Sequence, residues 1–122
     1  MRLDISGNTQ DIAIARSIAA AMAARADLTI DQLEDARLAV DEATAQLMRD
    51  CVDSDRIHLH FEARQGELAI EVSAPAHGRA EIARDTFSWT ILSALATHAD
   101  GCVDADCARI SLHFQRMVTV EA

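Results

Sequence analysis

The sequence predicts an α+β domain built as a two-layer sandwich, a sheet with helices over one face. Three observations carry this. Two long amphipathic segments fill the first fifty positions, an alternating hairpin follows them, and a single helix separates that hairpin from a closing strand. The order β-α-α-β-β-α-β groups helices rather than strictly alternating them with strands.

Each element has a local reason. In MRLDIS, Leu3 and Ile5 fall on one face of a short strand. Asn8 or Thr9 caps a helix running to about Arg25, whose inner stripe is Ile12, Ala15, Ile18, Ala19 and Met22. Asp27–Leu28 breaks it, and Thr29 with Gln32 forms the T-x-x-Q capping box of the next helix. In that helix Leu33, Ala36, Val40, Ala43 and Leu47 recur at three- and four-residue steps and face a core. Asp53, Ser54 and Asp55 make the turn that follows.

RIHLHFEAR alternates Ile57, Leu59 and Phe61 against His58, His60 and Glu62. ELAIEVSA alternates Leu68, Ile70 and Val72 against Glu67, Ala69 and Glu71, with Gln65–Gly66 as the turn. The only proline and a glycine mark Ala74–Arg84 as a loop. A helix is expected over Asp85–His98, with Phe87, Ile91, Leu92 and Leu95 as core candidates. CARISLHFQRMV closes the chain as a strand on Ile110, Leu112 and Phe114, with a short extra strand at Cys102–Asp104.

At 122 residues the chain suits a single domain, 1–122, with one core. Half its residues are apolar and aromatics are few, so Ala, Leu, Ile and Val must do the packing. The net charge of −9, with arginines scattered singly, argues against a nucleic-acid partner and is compatible with a basic protein partner. MRLDISGN lacks the pattern of a signal peptide and no apolar run approaches a membrane span, so a soluble cytoplasmic protein without membrane contact is expected. Cys51, Cys102 and Cys107 form no C-x-x-C pair and read as reduced thiols. His98, Cys102 and Cys107 lack a fourth ligand at a familiar zinc spacing. His58, His60 and His113 share the outer sheet face, where polar residues need no function, so no metal site is assigned.

The chemically suggestive pair is Glu42 and Gln46, one turn apart on the second helix with Arg49 near the same line. A carboxylate and a carboxamide so stacked suit hydroxyl activation and a hydrated metal ion; they equally suit a solvated helix face.

The segment LEDARLAVDEATAQL resembles the acidic helix, running into E-A-x-x-N-A, of the anti-sigma factor serine kinases, the RsbW/SpoIIAB-like group of the GHKL ATPase superfamily. The match here is Glu42-Ala43-Thr44-Ala45-Gln46-Leu47. Element order and length extend the resemblance over nearly the whole chain. It implies the histidine kinase-like (Bergerat) fold, a mixed and mainly antiparallel sheet of four to five strands covered on one face by three helices. It also implies Glu42 as the base for a substrate serine, Gln46 at the position of the magnesium-binding asparagine, and a sigma factor or antagonist protein as partner of a homodimer.

The departures are as informative. Gln46 is one methylene longer than asparagine. The family's D-x-G-x-G loop reads Ala74-Pro75-Ala76-His77-Gly78, so that only Gly78 survives as a nucleotide-binding position, and the lid region Asp85–Trp89 contains no glycine. The favoured expectation is therefore a non-enzymatic regulatory interaction domain with a degenerate nucleotide site and no cofactor. In that reading Trp89 is a candidate partner anchor, weighed against an ordinary core role. The alternatives are an active ATP- and magnesium-dependent serine protein kinase using Glu42, Gln46 and Gly78, and a structural homodimerisation module.

Overall fold

The computed structural model describes residues 1–49, 51–52 and 54–117. Along the chain lie β1 (Arg2–Ile5), α1 (Thr9–Arg25), α2 (Ile30–Met48), β2 (Ile57–Arg64), β3 (Glu67–Pro75), α3 (Phe87–Leu95), β4 (His98–Asp104) and β5 (Cys107–Gln115). The strands form one five-stranded sheet in the order β1-β2-β3-β5-β4. The expectation of a mainly antiparallel sheet is met, and all four pairings are antiparallel. Among the described residues no helix is long and apolar enough to cross a membrane.

The alternation in the hairpin puts Ile57, Leu59, Phe61, Leu68, Ile70 and Val72 under the helices, joined from β5 by Ile110, Leu112 and Phe114; all nine are buried. Against them α1 contributes Ala15, Ala19 and Ala23, and α2 contributes Ala36, Ala39, Val40, Ala43 and Leu47. Small side chains let the two helices approach closely, which explains how a core so poor in aromatics fills its space.

Both helix starts follow the capping residues in the sequence. Asn8 accepts from the Asp11 N–H, and Thr29 forms the full reciprocal box with Gln32. Asp27 takes a positive φ of 61°, which ends the path of α1. The β2–β3 turn uses Gly66 at φ 79°, and the β4–β5 turn places Ala105 and Asp106 at φ 50° and 57°.

The second half of the chain departs from expectation in four places. β3 continues through Ala74 and Pro75, which pair with Ala108 and Cys107, so the loop begins later. The last helix is shorter: Thr86 caps it, accepting from the Trp89 N–H, and Ala96 leaves it in an extended conformation. His98 consequently belongs to β4, and the short strand at Cys102–Asp104 is the end of a seven-residue one. Phe87 is not a core residue; as the first residue of α3 it is 79% exposed, and Trp89, at 8%, is the aromatic that packs inward. The turn after α2 is closed by the Asp55 N–H donating to the Val52 carbonyl; Asp53 lies outside the described residues.

The outer sheet face carries His58, His60, Glu71, Arg109 and His113. There His58 Nδ1 lies 2.6 Å from Asp4 Oδ1, and Arg109 pairs with Glu71 at 3.0 Å. Among the described residues no group of three His, Cys, Asp or Glu side chains is placed to hold a metal ion, which covers both constellations weighed above.

Candidate functional site

Gln46 points not to solvent but into the seam between α2, α3 and the β3–α3 loop, where it is 4% exposed. Its Nε2 donates to the Ala83 carbonyl at 3.3 Å and its Oε1 accepts from Ser88 Oγ at 3.1 Å. Both ends of the carboxamide are thus satisfied by the chain itself, as a buried amide requires. Glu42, one turn earlier, is half-buried, and among the described residues nothing hydrogen-bonds or ion-pairs with its carboxylate.

The β3–α3 loop is fastened at several points. At its start the Ala76 N–H donates to the Asp106 carbonyl at 2.8 Å, and the Gly78 N–H donates to Asp106 Oδ1 at 3.1 Å. His77 and Gly78 both take positive φ, 52° and 82°. A Cβ added at Gly78 would meet nothing within 4 Å, so backbone conformation rather than crowding favours glycine there. His77 Nε2 lies 2.5 Å from Asp55 Oδ2, which ties the loop to the turn after α2.

At mid-loop Ile82 is buried on β4. A Cβ at Gly101 would come within 3.0 Å of the Ile82 side chain, so glycine permits this close approach. At its end Arg84 Nη2 donates to Asp100 Oδ1 at 2.5 Å and to the Gly101 carbonyl at 2.8 Å, while its guanidinium lies 5.1 Å from the centre of the Trp89 ring. These partners leave a signature in the carboxylates. The Arg84 hydrogen bond, with the Gly101 N–H behind it, holds the Asp100 carboxyl below its ordinary pKa. The Val52 N–H, then His77, do the same for Asp55.

Beside Gln46 a shallow cleft remains, lined by Gln46, Arg49, Arg79, Glu81 and Ala83. Glu42 and Gln46 therefore share one stretch of α2, and Gly78, bonded to Asp106 in the β4–β5 turn, directly precedes Arg79, which lines the cleft beside Gln46. The parts that spacing alone missed are Ser88, Ala83, Ile82 and the Arg84–Asp100 pair. One signal was present: Ile82 is a single large apolar residue among Arg79, Glu81 and Arg84, a pattern that suits a buried point in an otherwise polar loop.

An antiparallel sheet under one layer of three helices, with an acidic helix facing a clamped loop, defines a two-layer α+β sandwich domain. No protein-family model matches the chain. It is 31% identical over 96 residues to the anti-sigma-F factor RsbW of Mycobacterium tuberculosis, in two strains, a match covering 79% of this chain and 57% of theirs. The chain thus spans little more than half the length of these relatives. The crystal structure of the RsbU and RsbW domains of Rv1364c from the same organism superposes with a TM-score of 0.65 at 15% identity, over 98% of this chain and 35% of that one, and shows the same fold. The sequence match and the shared fold together support an RsbW-like member of the anti-sigma factor family.

Proposed function

We propose that this chain is a regulatory interaction domain of the anti-sigma type with a degenerate nucleotide site. It acts by binding a sigma factor or an antagonist protein, as a cytoplasmic homodimer. The printed name of its relatives supports the kind of partner. The observation that carries the rest is the state of Gln46. The oxygen that a magnesium ion would need accepts from Ser88, and the amide nitrogen donates to Ala83. Turning this buried carboxamide out of its seam toward a metal in the cleft means breaking buried hydrogen bonds and leaving their partners unsatisfied, at a cost of about 1–3 kcal/mol.

Two further features point the same way. Ala74, at the position of the family's adenine-reading aspartate, is a buried strand residue with no acceptor in its side chain. The loop that would have to admit a nucleotide is packed down through Ile82 and fastened by Arg84. The residues present are a poor fit for ATP and magnesium, and no phosphoryl-transfer step is derived through them. One observation favours the alternative of an active serine kinase: the carboxylate of Glu42, without a partner among the described residues, stands one turn from a cleft lined by Arg49 and Arg79.

Calorimetric titration of the chain with ATP and with ADP, each with magnesium, tests the reading. The expected result is no heat and no thermal shift at millimolar nucleotide. Saturable micromolar binding that is lost in Gln46→Ala would overturn it in favour of the kinase.

A further inference from the structure

The outward side of α2 has a feature that neither the core nor the cleft uses. Leu38 is 48% exposed in the middle of the helix. Its neighbours at three and four residues before and after are Glu34, Asp35, Asp41 and Glu42, so four carboxylates ring one exposed leucine. Of these four only Asp41 has a cationic partner among the described residues, a loose contact of 3.9 Å from Arg16. The second apolar group stands on the next helix. Phe87 adjoins Ser88, whose hydroxyl bonds Gln46, so it is placed alongside the turn of α2 that follows Glu42. It is 79% exposed, with half-buried Ile91 one turn further along α3.

A leucine and a large aromatic are thus left in water on two packed helices, with Glu42 between them along α2; the carboxylates gather at the Leu38 end, and Arg49 stands at the Gln46 end. Partial burial, then the neighbouring Asp31 and Glu34, push the Asp35 carboxyl above its ordinary pKa.

We infer that the outward side of α2 and α3, with Leu38 ringed by Glu34, Asp35, Asp41 and Glu42 and Phe87 beyond Glu42 on α3, is a docking surface for a basic amphipathic helix of a protein partner. Such a helix brings an apolar stripe for Leu38 and Phe87, and Lys or Arg on its flanks for the carboxylates. Burying the two exposed side chains supplies the contact area, and charge complementarity supplies orientation and a fast encounter. A nucleic acid is repelled by the same ring. The inference deepens the proposed function by naming where and by what chemistry the partner binds, and it does not depend on whether nucleotide binds.

The test uses the whole chain and a fluorescently labelled synthetic amphipathic Leu/Lys helix of about 18 residues, with its Leu/Glu counterpart as the charge control. Anisotropy titration is expected to give saturable binding of the basic peptide, weakened by raising salt from about 50 to about 300 mM, and no binding of the acidic one. Phe87→Ser, Leu38→Ser and Glu34→Lys should each weaken binding about tenfold. Glu62→Lys, on the open sheet face, should change it less than about twofold.

Hydrogen exchange on the wild-type complex supplies a readout that does not rely on variants folding: protection should fall on residues 34–49 and 87–95. Equal weakening by Glu62→Lys and Phe87→Ser, protection elsewhere, or no saturable binding of the wild type would each overturn the inference. Nucleotide calorimetry on the same preparation reports separately on the proposed function, so the two can fail independently.

Discussion

Two buried glutamines fourteen residues apart secure the two ends of α2, and they do so differently. Gln32 is locked from several directions. Its Oε1 accepts from the Thr29 N–H at 3.2 Å and from the Met117 N–H at 3.2 Å, and its Nε2 donates to the Gln115 carbonyl at 2.7 Å. One carboxamide thus caps the helix and joins it to the end of β5. Gln46 has two bonds, of 3.1 and 3.3 Å, to a loop and to the first turn of a nine-residue helix. The first end is fastened to the sheet. The second is fastened to elements that are themselves fastened by side chains, and it is the end whose motif resembles a ligand site. A region held by a few discrete polar contacts opens without global unfolding, whereas one locked into the sheet opens with it.

The largest effect should come from Gln32→Ala. The Gln32 side chain is buried and bonds three backbone groups, each bond worth about 0.5–1.5 kcal/mol net, and this change removes them all. Denaturant melts should show a clear drop in midpoint with the slope unchanged, a loss of global stability. Gln46→Ala should cost less, about 1–3 kcal/mol in all, and chiefly by local opening. Amide exchange should accelerate at Ala83–Trp89 while the centre of the hairpin keeps its protection. If Gln46→Ala lowers the global midpoint as much as Gln32→Ala does, the contrast between the two ends is wrong. Thr29→Ala sharpens the comparison at smaller scale. It removes the acceptor for the Gln32 N–H and leaves the Gln32 side chain in place, for a loss of about 1 kcal/mol that melting should resolve.

How much was legible follows the same division. The T-x-x-Q box, the stripe of α2 and the alternation of β2, β3 and β5 are local patterns, with spacings set by helix and strand geometry, and the structure has all of them. The partners of Gln46 lie 37 and 42 positions away, in a loop with no periodicity, so spacing could place Glu42 and Gln46 on one helix but not say what either touches. Propensity also misplaced the ends of α3. A run of apolar residues in FSWTILSALATHAD extends a helix on paper, but tertiary pairing draws His98–Asp104 into the sheet against β5. Hydrophobicity alone places Phe87 in the core; its position at the helix start, ahead of inward-facing Ser88 and Trp89, turns it outward.

Acid should separate the two ends of α2 by a different route, because amides do not titrate and carboxylates do. The pKa of Asp100 is depressed in the folded state, first by the Arg84 hydrogen bond and then by the Gly101 N–H. A depressed carboxylate contributes stability that is present above its ordinary value and is lost as pH falls through its folded value. Acidification through and below the carboxylate range should therefore release Arg84 from Asp100, loosening Ile82–Thr86 at its β4 anchor. Asp55, held down by the Val52 N–H and then by His77, should release the other end of the loop in the same direction. The contacts of Gln32 contain no titrating group, so the amides of Gln32 and Met117 should keep their protection until the molecule unfolds. Arg84→Ala should raise the Asp100 titration toward that of an ordinary aspartate, leaving the residual depression due to Gly101. Side-chain NMR titration of Asp100 in the two proteins, with amide exchange followed over the same pH range, measures both effects. Simultaneous loss of protection at Gln32 and Ala83 would mean that the loop is no independent unit, and that the two glutamines secure one cooperative structure.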